Sequence, residues 1–288
     1  MSFLRLLRPH QWSKNLLVFV SMLAGHQYTD LQVLQQTALT FLVFCLLASA
    51  GYVINDLLDV EDDRNHPQKC KRPLAAGEVG AGAAVVLAAI LVALGLALAW
   101  SVNIWVLVTA MAYLLSTLAY SLWLKRKLFV DIILLAGLYT IRIIAGVAVV
   151  QAEPSFWLLA FAMFIFTGLA ALKRYIELCE RSAKSLVDHS VRAYKHSETP
   201  VLMAVGVANG FLSVLVLAFY LDSPEVRALY KNILPLWLLC PLLMYWTGRI
   251  WLLAGRSLVH SDPILFALKD RLSYLMGIAI IGLVLLSK

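Results

Sequence analysis

The chain is poor in charge, and that shortage alone excludes a whole class of protein. Asp, Glu, Lys and Arg make up 14% of its 288 residues, against 61% that are hydrophobic. A soluble domain carries about 25% charged and about 45–50% apolar residues, so the composition and a mean hydropathy of +0.82 exclude one and demand a membrane. Cysteine is equally thin. Cys45, Cys70, Cys179 and Cys240 are scattered, with no CxxC pair and no histidine at zinc spacing, which argues against a disulfide framework and a zinc centre. The six histidines offer no catalytic candidate: His10, His66, His189 and His196 fall in loops or at an interface, and His26 and His260 are no better placed. There is no low-complexity tract and no strong internal repeat. No small-residue cleavage site follows the first apolar run, so no cleavable signal peptide is expected.

What is present is a series of long apolar runs. At about 20 apolar residues per crossing, nine segments emerge, roughly 15–30, 34–58, 80–100, 102–123, 129–150, 155–177, 200–221, 232–254 and 271–287. The first is the weakest, because His26, Gln27 and Tyr28 interrupt it. The expectation is an all-α, polytopic membrane protein with nine transmembrane helices in a single domain over 1–288. With the N-terminus cytoplasmic and the C-terminus outside, nearly all of the 24 Lys and Arg residues fall inside; Arg227, Lys231 and Lys288 face outward and Arg142 lies mid-span. Such one-sidedness follows the positive-inside rule. The net charge of +7 then reflects topology and anionic ligands, not nucleic acid.

The connections expected on the cytoplasmic side, chiefly 59–79 and 173–199, hold nearly all the chemistry. In the first, NDLLDVEDDRNHPQKCKRPLAAG over 55–77, an apolar run continues into Asn55 and Asp56 without a turn signal. Polar groups at that depth are costly and read as functional. Asp56, Asp59 and Asp63, spaced i, i+3, i+7, share one helix face. Three carboxylates there repel unless a cation joins them, and oxygen-only ligands suit Mg²⁺, which is held by one or two carboxylates plus substrate phosphates. Asp62 and Glu61 fit a solvated helix end. Lys69, Lys71 and Arg72 come next, within reach, and Pro73 biases Arg72 towards extended backbone, a good posture for a phosphate fork. The segment therefore reads as a metal–diphosphate site at a membrane surface.

Other charges carry two readings each. Asp131, Tyr139 and Arg142, at offsets of 8 and 11, fall near one face of the fifth span. Arg142 lies about 16 Å from Asp131 by helical rise, deep in the bilayer, and suits either a structural salt bridge or a phosphate-binding cavity. Lys173, Arg174 and Glu177 at the tail of the sixth span suit a basic helix end or a donor site. Tyr175 and Tyr194 suit substrate contact or interfacial anchoring. Lys14, entering span one beside Asn15, is a candidate phosphate ligand, and Trp12 an anchor. Asp262, Lys269, Asp270 and Arg271 are explained by capping and topology.

These residues resemble the UbiA superfamily of intramembrane prenyltransferases. Asn55-Asp56-x-x-Asp59-x-x-x-Asp63 matches its first NDxxDxxxD signature, and RPLAAG at 72–77 matches the stretch that members carry just after that signature. The resemblance implies nine helices around a central cavity and a Mg²⁺-bound diphosphate. Prenyl-transferring members usually carry a second Asp-rich motif after span six. Here 173–199 holds only Glu177, Glu180, Asp188 and Glu198 among its basic residues. RPHQWxKN at 8–15, DxxHPxK at 63–69, LYTIRxIAG at 138–146, LKRYxEL at 172–178, VRxY at 191–194 and DPxxFALxDR at 262–271 are similar to the decaprenyl-phosphate phosphoribosyltransferase subgroup. That similarity implies phosphoribosyl pyrophosphate as donor and a polyprenyl phosphate as acceptor in a bacterial cytoplasmic membrane. Prenyl transfer to an aromatic acceptor is the alternative. A transporter of anions is disfavoured, since no paired mid-span Gly/Pro breaks occur.

Overall fold

A computed structural model describes residues 2–65, 69–183, 194–259 and 262–287. Among them every regular element is helical. Seven helices are long and apolar enough to cross a membrane: Leu31–Leu58, Ala81–Val102, Ile104–Leu122, Val130–Val150, one starting at Phe156, one reaching Leu221 and one ending at Gly255. Arg271–Leu286 is apolar but shorter, at 16 residues. Large apolar side chains such as Leu94, Trp100 and Leu115 lie on the outside, as expected of helices whose outer solvent is hydrocarbon.

The first of the nine expected segments is not one helix. It is a 3₁₀ stretch over Pro9–Phe19 followed by a short α-helix, Val20–Ala24. Pro9 at the first helical position fixes the start. The tighter 3₁₀ winding advances about 2.0 Å per residue, so these sixteen residues reach about 30 Å, a full hydrocarbon thickness. Docking at backbone level holds the stretch in place. Gly146 leaves room for the Val18 carbonyl, which an added Cβ would strike, and Ser21 Oγ donates to the Ile143 carbonyl at 3.0 Å.

The chain divides into two compact units, one of residues 1–125 with 138–154, the other of residues 126–137 with 155–288. In the first, Asp30 caps the Leu31–Leu58 helix by accepting from Gln32 and Val33 N–H at 2.8 and 3.2 Å. Asn103 is the single residue between two helices. Its Oδ1 caps Val106 N–H at 2.8 Å while its Nδ2 donates to the Ala148 carbonyl at 3.0 Å. Val43, Phe44, Leu47, Val106 and Ala145 fill the core.

In the second unit, the Phe156–Ala183 and Thr199–Leu221 helices meet at small residues. A Cβ on Gly168 would lie 3.1 Å from the Gly206 carbonyl and 3.3 Å from Gly210 N, the close approach that small-xxx-small spacing permits. The last helix begins at Asp270, which caps Ser273 N–H at 2.9 Å and receives both Arg249 terminal nitrogens at 2.6 and 2.9 Å. The Arg249 hydrogen bonds, and then those from Ser273, hold the Asp270 carboxyl down at about 2. A depressed carboxylate favours the fold above its unfolded pKa, so its contribution is complete above pH about 4. It fades as pH falls from 3.8 towards about 2. Asp270→Ala removes both cap and ion pair and is expected to cost about 1–2 kcal/mol. Thermal unfolding in detergent checks this, and Asp270→Asn, which keeps the cap, should lose less.

Candidate functional site

The Leu31–Leu58 helix is buried along much of its length and carries its apolar face directly into Asp56, which is only 2% exposed. It then breaks at Asp59 (φ −100°, ψ 10°), which ends one helix and opens the next, Val60–Arg64. The i to i+4 ladder survives the break through Asp59 N–H to the Asn55 carbonyl at 3.0 Å and Asp63 N–H to the Asp59 carbonyl at 2.8 Å. The bend separates the three carboxylates into two environments. Asp56 and Asp63 still point the same way, because Arg72 Nη1 reaches both, at 3.1 and 2.6 Å. Asp59 is turned aside: it accepts from Asn55 Nδ2 at 3.0 Å and from Lys125 Nζ at 2.6 Å. Among the described residues no trio of acidic, His or Cys side chains is preassembled for a metal. The helix break, which i, i+3, i+7 counting on an unbroken helix ignores, is the reason.

Each carboxylate is instead matched to a cation. Arg8 Nη2 donates to both Asp56 oxygens, at 2.6 and 2.8 Å, and its guanidinium lies 5.2 Å from the Tyr52 ring centre. Lys69 Nζ is 3.9 Å from Asp63. Arg72 N–H closes a turn onto the Lys69 carbonyl at 2.9 Å, which presents both side chains to Asp63. Asp62 and Glu61 are exposed. The donor set fits a hard divalent cation: Arg72 Nη1 already stands as a positive group bridging two buried carboxylates, and only oxygen ligands face it. Asp56 and Asp63 would hold such an ion, with Asp59 joining if it releases Lys125.

A second polar cluster lies in the same unit. Arg142 is 4% exposed; its Nε donates to Asn15 Oδ1 at 2.7 Å, its Nη2 to Tyr113 Oη at 3.0 Å and its Nη1 to the Leu138 carbonyl. The rings of Tyr113, Tyr139 and Phe44 surround it at 4.6, 5.8 and 5.9 Å, and Lys14 Nζ lies 5.9 Å from the Tyr139 ring. Every hydrogen-bond partner of Arg142 among the described residues is neutral. A buried cation without a carboxylate is costly, and anion binding would relieve it.

Asp131 does not join Arg142. It belongs to the other unit, fully buried, where it accepts from Arg174 Nε at 2.5 Å and Tyr194 Oη at 2.6 Å. Tyr194 Oη in turn accepts from Phe129 N–H at 2.8 Å, and Arg174 also donates to Glu177 at 2.7 Å. Burial, reinforced by the Asp131 hydrogen bond, holds the Tyr194 phenol well above its ordinary range. This is the salt-bridge alternative, formed with a partner on the next helix. Lys173 pairs with Asp262 at 3.3 Å, and Tyr175 packs edge-on against Trp251 at 5.7 Å. His66, Lys184, Asp188, His189, Arg192, His260 and Lys288 lie outside the described residues.

Sequence reasoning missed Arg8, Lys125 and Tyr113 as members of these clusters. Lys125 stands beside Arg126 and Lys127, a basic run of the kind that membrane topology alone accounts for, and a tyrosine in an apolar run carries too common a signal to single out.

The UbiA prenyltransferase family model matches residues 16–269. A decaprenyl-phosphate phosphoribosyltransferase from Mycobacterium tuberculosis is 33% identical over 96% of the chain and 91% of that protein. Nodulation protein NoeC from Azorhizobium caulinodans is 31% identical over 99% and 93%. An uncharacterized protein, y4nM, from Sinorhizobium fredii is 36% identical over 94% of the chain, which spans about half of that relative's length (53%). A UbiA homolog from Archaeoglobus fulgidus bound to GPP and Mg²⁺ superimposes with a TM-score of 0.75 at 20% identity, over 98% of this chain and 99% of that one. Multiple apolar helices, the shared fold and a family match across most of the sequence make this a multi-pass membrane protein that belongs to the UbiA prenyltransferase family of transferases.

Proposed function

We propose that the chain transfers phosphoribose from 5-phosphoribosyl-1-pyrophosphate to a polyprenyl phosphate of decaprenyl type, with Mg²⁺, at the cytoplasmic face of a bacterial inner membrane. The observation that carries this reading is the convergence of buried Asp56 and Asp63 on one Arg72 nitrogen, in a chain 33% identical to a phosphoribosyltransferase along nearly its whole length. The N-terminus is cytoplasmic in this proposal, and residues 1–288 act as one domain, since the family match runs from 16 to 269.

The chemistry is displacement at the ribose anomeric carbon. An oxygen of the lipid phosphate forms the new bond to that carbon as the bond to pyrophosphate breaks, and the electron pair leaves with pyrophosphate. Bound Mg²⁺ supplies Lewis acidity to the departing diphosphate. Asp56 and Asp63 would hold it, and Asp59, bonded to Asn55 and Lys125, would join them on releasing Lys125. Arg72 and Lys69 shift from carboxylate to diphosphate oxygens, which strengthens their hydrogen bonds as negative charge builds on the leaving group. The acceptor phosphate is already anionic near pH 7, so no general base is needed. Lys14 and Arg142 are proposed to receive that phosphate, with Tyr139 between them.

A second reading, prenyl transfer to an aromatic acceptor, draws on the structural neighbour bound to GPP and Mg²⁺. The two separate on donor binding. With Mg²⁺, phosphoribosyl pyrophosphate at about 100 times its Kd should stabilise the purified protein by about 2.7 kcal/mol, and EDTA should abolish the effect. Stabilisation by geranyl diphosphate alone would favour the second reading.

A further inference from the structure

A cavity of about 280 Å³ is lined by Arg5, Arg8, His10, Asp56, Lys71, Arg72 and Pro73. Four permanent cations meet one carboxylate in this lining, and Asp63 and Glu78 pair with Arg72 and Arg5 from outside it. The arrangement is held in place by structure: Arg5 Nη2 donates to the Lys71 carbonyl at 2.9 Å, tying a short N-terminal helix, Ser2–Leu7, to the loop that carries Lys71 and Arg72. Arg8 is fixed from two sides, by Asp56 and by the Tyr52 ring, with its backbone in the left-handed region at φ 50°. Such a conformation is strained for a non-glycine residue and is retained where position matters. Arg5 is offset by the exposed Glu78 at 3.2 Å, whereas Lys71 makes no ion pair among the described residues. Crowded cations beside a diphosphate site are favourable only when further negative charge arrives.

We propose that the Arg5 and Lys71 end of this cavity is a phosphomonoester subsite, next to the Asp56 and Arg72 end that serves the diphosphate, and that it takes the 5-phosphate end of the sugar donor. The lining favours that source, because Pro73 is its one apolar residue. Lys71 and Arg5 supply charge-assisted hydrogen bonds from the rim, and Arg8 supplies its remaining donors from the floor. The inference rests on the proposed function for the identity of the donor, although phosphate binding itself is measured without turnover.

The test uses the full-length protein in detergent and titration calorimetry with ribose 5-phosphate, a short-chain prenyl phosphate and Mg²⁺-pyrophosphate. Lys71→Ala and Arg5→Ala are each expected to weaken ribose 5-phosphate binding about tenfold, while Mg²⁺-pyrophosphate stays within about twofold and Lys71→Arg restores most of the loss. Affinity should fall with rising salt. Weakening confined to the prenyl phosphate would keep the subsite and reassign it to the acceptor. Unchanged binding of both phosphate esters in both variants would overturn it. Variant-sensitive ribose 5-phosphate binding without any phosphoribosyl transfer by the wild type would instead refute the function and leave the subsite standing.

Discussion

Asp56→Asn is expected to lower kcat by at least about 10³-fold while the protein still inserts and folds. Losing one buried carboxylate from a metal–diphosphate clamp removes several kcal/mol of transition-state stabilisation, and each 1.36 kcal/mol is tenfold in rate. The fold should persist, because Asn can still accept from Arg8 through its carbonyl oxygen, and Arg72 keeps Asp63 at 2.6 Å. The site geometry also ranks the three carboxylates. Asp63→Asn should behave like Asp56→Asn, since both oxygens share Arg72 Nη1. Asp59→Asn should lose less, since Asp59 is bound to Lys125 and Asn55 and is 22% exposed. Label transfer from donor to lipid measures all three, with size-exclusion profiles in detergent as the folding control. Equal activity in Asp56→Asn and wild type would remove the metal site from the account.

Arg142→Met should have the second largest effect, and in an unusual combination. The guanidinium is buried among Phe44, Tyr113 and Tyr139 with neutral hydrogen-bond partners. Its charge is therefore a burden on the folded state, partly offset by those contacts, and an apolar side chain of similar length should leave thermal stability nearly unchanged. Activity should fall by about 10²-fold or more, mainly as a raised KM for the polyprenyl phosphate, because a charge-assisted bond to the acceptor is lost. A purely structural arginine would show the reverse, a large drop in thermal stability with the lipid KM unchanged.

Much of this was legible in the sequence because it depends on local pattern. The apolar runs located the helices, and i, i+7 spacing placed Asp56 and Asp63 together with Arg72 near by. What escaped depended on backbone detail or distant partners. Asp59 leaves the trio because the helix bends at its own φ and ψ and because Lys125, 66 residues on, is there to receive it. Arg8 reaches Asp56 across 48 residues, with its backbone turned left-handed just after the Ser2–Leu7 helix. Asp131 and Arg142 share a helix face by angle, but about 16 Å of rise gives them different neighbours, and Asp131 found Arg174 instead. The 3₁₀ stretch over Pro9–Phe19 has no apolar periodicity that distinguishes it from an α-helix, so the first span was counted with the rest.

Phosphoribosyl transfer is tested directly by one measurement. Purified protein in detergent with Mg²⁺ is given radiolabelled phosphoribosyl pyrophosphate and a polyprenyl phosphate, in parallel with a prenyl diphosphate and an aromatic acceptor. Label is expected in the lipid phase from the first pair alone, lost with EDTA and restored by Mg²⁺. Label transfer from the second pair, with none from the first, would contradict it.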